Sequence, residues 1–433
     1  MKTGFINILG FLVFFLSTAL CGQNSKNIEA DTVFTPNSNK VNKSNIKTVI
    51  LRNSIGEGSY PIISLSGKEK LLLSFDDLHA DLKDYQYTLT PCDYNWVDAE
   101  LKPYEYLEGF QTDLIEENES SLGTEYPYTH YYINFPTEYL HITKSGNYLL
   151  HVFEKEWNRQ NTIINYRFMI LDPQVRVSGK IKRAMTGSDE QGYNQMLEIG
   201  VKLGDNYFVN PAQNIRINIL QNGRWDNARI GISPSTIIGN TAEFYNNDQL
   251  VFKSGNEYRH FDFKDFKYHT EDIRNIESTP MGYVVDLSQD KRRTYDQYYS
   301  KQDHNGRYMI RTQRGREPDY EADYAEVNFY LPYDFPIGFG DLYISGQLSN
   351  GILSRKAKMT YNYAEKRYEN TLLLKQGYYE YLYAYLEKGE TKGDVSFIEG
   401  NHLDTENEYL VLVYYREPGS NYDQLVGKGI IRK

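Results

Sequence analysis

Gly377-Tyr378-Tyr379-Glu380-Tyr381-Leu382-Tyr383-Ala384-Tyr385-Leu386 carries a tyrosine on every second position from Tyr379 to Tyr385. A period of two sends these four rings to one face of a strand and Glu380, Leu382 and Ala384 to the other. Aromatic side chains suit the pleated surface of a sheet. Tyrosine is abundant throughout, with 40 in 433 residues. The stretch therefore reads as a strand, the chain as all-β, and the Tyr379–Tyr385 row as the cover of a broad sheet face. Such residues build contact area. They do no chemistry by themselves.

The same period marks other strands outward from this one. Lys70 to Phe75, Tyr85 to Leu89, Asn147 to Phe153 and Thr162 to Leu171 lie in the first unit, which runs to about Asp172. Leu197–Leu203 and Ile215, Ile217 and Ile219 follow, the last before an Asn222-Gly223 turn signal. Asp341–Ser345, Thr371–Leu374 and Tyr409–Tyr415 belong to the last third, and Tyr409–Tyr415, apolar on both faces, reads as central. A chain of this length exceeds one core of about 100–200 residues. The expected organisation is a signal peptide over 1–22, a flexible leader over 23–45, and tandem β-sandwich-like domains over 46–172, 173–320 and 321–433. The middle one includes a long polar excursion over 286–320. Between Pro91 and Tyr128 runs an irregular stretch rich in aromatics, expected to hold a short helix near Ala99–Leu107 and to pack on the sheet.

The formal charge of −11 lacks the basic footprint that nucleic acid demands and opposes adsorption to an anionic membrane. Lys2, then a nearly continuous apolar run from Phe5 to Leu20, then small residues have the layout of a secretory signal, so the chain is expected to be exported. With Cys21 near the cleavage point, Cys92 stands alone and reads as a buried thiol. Mean hydropathy is −0.63, and no apolar run beyond the signal is long enough to span a membrane.

Enzymatic constellations are missing. The sequence has no nucleophile elbow, no phosphate-cradling glycine loop and no His-Glu-x-x-His helix, so no catalytic residue, metal site or cofactor is assigned. Asp76-Asp77 with His79 reads as a turn after a strand. His260 and His269 fit no metal spacing. The strings that remain are aromatic and polar: Tyr94 and Trp96, then Tyr126, Tyr128 and His130, then Tyr379, Tyr381 and Tyr383. These are the candidate partner-contact residues, because tyrosine combines large area, two torsions and a hydroxyl that tolerates water.

Strings spread over most of the chain carry a resemblance. They include Cys92-Asp93-Tyr94-Asn95-Trp96, Tyr106-Leu107-Glu108-Gly109-Phe110 and Tyr128-Thr129-His130-Tyr131. Ser254-Gly255-Asn256-Glu257-Tyr258-Arg259, Glu399-Gly400-Asn401-His402, Thr405-Glu406-Asn407 and Val411-Leu412-Val413-Tyr414-Tyr415-Arg416 follow. Together they resemble the plug proteins of the type IX secretion system of Bacteroidetes-type bacteria. That resemblance implies a non-enzymatic, exported, β-rich protein. Its implied partner is the periplasmic mouth of a large outer-membrane β-barrel translocon, whose pore it blocks when no cargo passes.

A local resemblance runs from Asp341 to Leu386, which is similar to early-set or glycogen-binding sandwich modules. It implies the alternative of an α-glucan-binding protein. Those modules often stack sugars on tryptophan, and the three here, Trp96, Trp157 and Trp225, all lie outside that segment.

Overall fold

A computed structural model describes residues 37–184, 192–204, 208–268 and 270–433. The expected signal peptide, residues 23–36 of the expected leader, and His269 lie outside the described residues. The described chain is all-β, built as sandwiches of mostly antiparallel sheets.

In the first sandwich one sheet runs in the order Ile46–Asn53, Leu71–Asp77, Thr129–Phe135, Glu117–Ser120. The facing sheet centres on Tyr85–Cys92, Gly146–Glu154 and Ile164–Leu171. Alternation explains the core. Leu71, Leu73 and Phe75 with Tyr131, Ile133 and Phe135 face Tyr87, Leu89, Tyr148, Leu150, Phe168 and Ile170. Phe75 and Tyr131 stack at 5.4 Å, and Tyr85 meets both edge-on. The expected helix near Ala99–Leu107 is the single turn Pro103–Tyr106.

The leader reading is corrected for its described part. Lys40–Val41 adds an antiparallel edge strand to Ile164–Leu171, and the Asn37 side-chain amide donates to the Trp96 carbonyl at 2.8 Å. An edge strand supplies free backbone partners, which order even a polar segment.

The domain boundary at 320/321 is also corrected. Ile215–Gln221 pairs along its length with Glu408–Tyr415, which in turn pairs with Gln424–Arg432. This sheet packs on the one containing Gln195–Leu203, and Ile215, Ile217 and Ile219 share a core with Val411 and Val413. The C-terminal hairpin thus completes the middle sandwich. Conversely, Gly282–Leu287 lies parallel to Tyr324–Pro332, and Arg259–Asp262 pairs with the tyrosine strand Gly377–Glu387, so both segments belong to the third sandwich. The polar stretch between Leu287 and Tyr324 is the crossover that the parallel pair requires.

The tyrosine strand is covered on both sides. Tyr379, Tyr381 and Tyr383 enter the core with Phe261, Val327, Phe329 and Ile344. Leu382 and Ala384 enter a second cluster with Tyr258, Tyr343 and Val395. Buried hydroxyls need partners. Those of Tyr381 and Tyr383 both donate to Asp290 Oδ2 at 2.7 Å, and that of Tyr379 to the Lys375 carbonyl at 2.5 Å.

Candidate functional site: the seams between the sandwiches

The residues read as partner contacts do make contacts, but with the chain's own sandwiches. Trp96, Tyr128, His130, Tyr379, Tyr381 and Tyr383 are buried, and only Tyr94 and Tyr126 are partly exposed. The expectation that these aromatics form an outward surface is corrected accordingly. Alternation separates the two faces of a strand but does not say what covers them: Tyr379, Tyr381 and Tyr383 fill the core of their own sandwich, while Trp96, Tyr128 and His130 are covered at seams with a neighbouring one.

Tyr128 and His130 stand at the seam between the first and third sandwiches. His130 Nδ1 lies 2.6 Å from Asp76 Oδ1. Asp76 Oδ2 accepts from Lys375 Nζ at 2.6 Å and from the Tyr324 hydroxyl at 2.6 Å. Burial would raise the Asp76 carboxyl, but Lys375 and His130 outweigh it and hold it below the ordinary carboxylate range. The Lys375 ammonium sits 4.1 Å from the Tyr128 ring centre. A β-bulge in Ile46–Asn53 serves the same seam: Thr48, at φ 47, turns its hydroxyl to Tyr324 at 2.5 Å. Tyr126 packs beside it. Its backbone N–H reaches Asp323 at 3.1 Å, and its ring leaves no room for a side chain at Gly282, where an added Cβ would lie 2.3 Å from Cε2.

Tyr94 and Trp96 stand at the seam between the first and middle sandwiches. Asp93 folds the turn by accepting from the Asn95 and Val97 N–H groups at 2.8 and 2.9 Å. Tyr94 then donates its N–H to Asp423 at 3.0 Å and accepts from the Asn218 amide at 2.7 Å. Trp96 meets Trp225 edge-on at 5.2 Å, with the Arg167 guanidinium 4.6 and 4.5 Å from the two rings. Glu408 joins all three sandwiches. Its carboxylate takes Tyr60 at 2.7 Å, Arg307 at 2.9 Å and Arg432 at 2.5 Å.

Sequence reasoning missed Asp76, Lys375, Glu399 and Glu408, all buried charges. For Asp76 and Glu399 the available signal was their place within strings already singled out; Lys375 and Glu408 fall just outside them. Ser254–Arg259 and Glu399–Asn407 lie against each other: Asn256 bonds the Glu399 carbonyl at 2.8 Å, Thr405 the Gly255 carbonyl at 2.9 Å, and Asn407 the Ser254 carbonyl at 2.8 Å. Within this layer the Glu257 carboxylate accepts from the Tyr298 hydroxyl at 2.5 Å and the Glu406 N–H at 3.0 Å but forms no ion pair among the described residues.

Burial, together with Asp303 and Glu406, pushes the Glu257 carboxyl up to about 7 from 4.5. Over that window the folded state holds a proton that the unfolded state has lost, so its contribution to stability falls as pH rises. Glu257→Gln should remove this slope. Denaturation midpoints measured across the window should show the variant gaining on the parent up to about pH 7 and running level above it.

Asp77, His79 and Asp81 form the one group among the described residues compact enough to hold a metal ion. The Lys83 ammonium lies among them, bonded to Asp77, 2.7 Å from Asp81 and 3.1 Å from His79 Nδ1. Cys92 is buried, and burial pushes its thiol up to about 12.

Residues 46–172, the first sandwich from which both seams spread, match the type 9 secretion system plug protein 1st domain. The chain belongs to the plug protein family of this secretion system. Among solved structures, a hypothetical protein from Parabacteroides merdae shares 34% identity at a TM-score of 0.88, over 92% of this chain and 99% of its own. The fold described above therefore extends over nearly the whole of that protein. A biofilm associated protein B domain covers 90% of this chain and 86% of its own at 8% identity, but its TM-score of 0.15 marks no shared fold. No curated protein matches the sequence.

Proposed function

We propose that this plug-family chain is a non-enzymatic periplasmic stopper. It binds the periplasmic mouth of the type IX translocon barrel and seals the pore when no cargo passes. The observation that carries the reading is the match of residues 46–172 to the plug protein 1st domain. The seams support it mechanically. A body that closes a wide pore must not deform, and buried ion pairs and ring contacts tie all three sandwiches together. Among the described residues no helix is long and apolar enough to cross a membrane. Against the α-glucan alternative stands the burial of Tyr379, Tyr381 and Tyr383, which leaves these rings no face on which a sugar could stack.

The test is a deletion combined with permeability. Loss of the chain should raise outer-membrane permeability to large solutes only in cells that carry the barrel, and the tagged chain should copurify with that barrel. Unchanged permeability in such cells, or no copurification, would remove the reading.

A further inference from the structure

The loop of residues 333–339 in the third sandwich contains Phe335 and Phe339, which are 77% and 89% exposed. It is not a loose segment. Tyr333 N–H bonds the Lys366 carbonyl at 3.0 Å, Ile337 N–H the Tyr368 hydroxyl at 2.6 Å, and Lys388 N–H the Phe339 carbonyl at 2.9 Å. Below it, the Tyr361 hydroxyl donates to the carbonyls of Tyr333 and Asp334 at 2.9 and 3.1 Å. Phe339 sits at φ 61, a strained value for a bulky residue, and Gly340 beside it has no space for a Cβ, which would lie 2.5 Å from the Leu386 carbonyl oxygen. The backbone is thus fixed at a cost, while both apolar rings are left in water.

The surroundings are ordered by polarity. Phe335 and Phe339 stand exposed, and the hydroxyl-bearing Tyr333 and Tyr361 beside them are half-buried. Exposed Arg292, Lys366 and Lys388 adjoin the loop through the Tyr333 ring, at 5.1 Å from Arg292, and through the two backbone bonds above. None of the three has a carboxylate within ion-pair distance among the described residues; exposed Glu365 and Glu387 precede Lys366 and Lys388 in sequence, and exposed Asp334 lies in the loop itself. Exposed phenylalanines, half-buried tyrosines and neighbouring charges of both signs match the components of a zwitterionic bilayer, with hydrocarbon under phosphate and ammonium.

We infer that the 333–339 loop docks on a zwitterionic phospholipid surface, with Phe335 and Phe339 inserted below the headgroups. The chain's charge of −11 would repel an anionic surface but is screened beyond about 8 Å and meets no net charge here. The inference does not rest on the plug reading, because its expected result is binding to vesicles that hold no protein.

The test is cosedimentation of the mature chain with vesicles of phosphatidylcholine and phosphatidylethanolamine. Binding is expected, weakened at least about tenfold in a Phe335→Ser/Phe339→Ser variant that keeps the parent's unfolding midpoint. Phe335→Trp emission should shift to the blue on vesicle addition. Added phosphatidylglycerol should not strengthen binding. Three outcomes would overturn the inference: no vesicle binding, equal binding by the variant, or Phe-dependent capture by purified barrel alone, which would make a protein groove the occupant.

Discussion

Lys375→Met is expected to destabilise the protein by about 3–5 kcal/mol, because it strands a buried carboxylate. Lys375 and Asp76 are 1% and 0% exposed, and their 2.6 Å pair crosses from the third sandwich to the first. Methionine fills the stem's volume but leaves Asp76 with His130 and Tyr324 alone. The lysine also donates to the Asp319 carbonyl at 2.5 Å, so that backbone group loses its partner too. Adding Asp76→Asn to Lys375→Met should recover part of the loss, and the coupling between the two is read from a double-mutant cycle. The sign with pH follows from the depressed Asp76 carboxyl. Its contribution is present above the unfolded value, 3.8, and is lost as pH falls through the folded one. The deficit of Lys375→Met should therefore be large at neutral pH and shrink in acid. Chemical denaturation at both conditions checks this. Hydrogen exchange should show Leu71–Asp77 and Arg367–Lys375 opening together in the variant, because the seam between them has lost its clamp.

That seam also marks where sequence reading stops. Strands are legible because one side chain in two must be apolar: Tyr409–Tyr415 reads as central, and Glu408–Tyr415 is buried along its whole length. Alternation names a face, not a neighbour. Nothing local in Ile215–Gln221 says that it pairs with Glu408–Tyr415 rather than with a nearer strand, so the middle sandwich reads as continuous when its last hairpin arrives from the C-terminus. The Asn222-Gly223 signal is correct as a turn, with φ 54 and 70, yet seven residues, 222–228, separate its strand from the next, Arg229–Ile232.

Charged residues mislead in the same way. Glu380, on the face opposite the tyrosines, suggests solvent. It is instead fully buried, accepting the His304 and Gly306 N–H groups at 2.8 and 3.0 Å and so holding the crossover down. A carboxylate that satisfies distant backbone donors looks, in sequence, like any surface glutamate. The candidate contact aromatics share this ambiguity. A ring suited to a partner's surface is equally suited to a neighbouring sandwich, and Tyr128 and Trp96 bind their own chain.

Glu399→Ala is expected to be comparably severe, about 3–5 kcal/mol, and to release the crossover as well as weaken the core. The Glu399 side chain is fully buried between two guanidiniums, with Arg259 Nη2 at 2.8 Å and Arg293 Nε at 2.7 Å, and also accepts the Tyr383 N–H at 2.8 Å. Burial would raise this carboxyl, but Arg259 and Arg293 outweigh it and keep it below the ordinary range. Removing it leaves Arg259 with Asp290 alone and Arg293 with no carboxylate. Asp290 is also the acceptor of Tyr381 and Tyr383, so the loss reaches the hydroxyls of the tyrosine row. Glu399→Gln separates charge from shape: it can keep the Tyr383 bond, and should fall between the parent and Glu399→Ala. Arg293→Ala removes a partly exposed cation and should cost less than either, since Arg259 still neutralises Glu399. Limited proteolysis is the second readout. Arg293 and Thr294 tie the crossover to Glu399, Phe397 and Ile398, so Glu399→Ala should open cleavage within 288–306 under conditions where the parent resists. Equal protection in that segment, alongside a stability change under about 1 kcal/mol, would mean that the buried charges are not what fastens the tyrosine strand to the crossover.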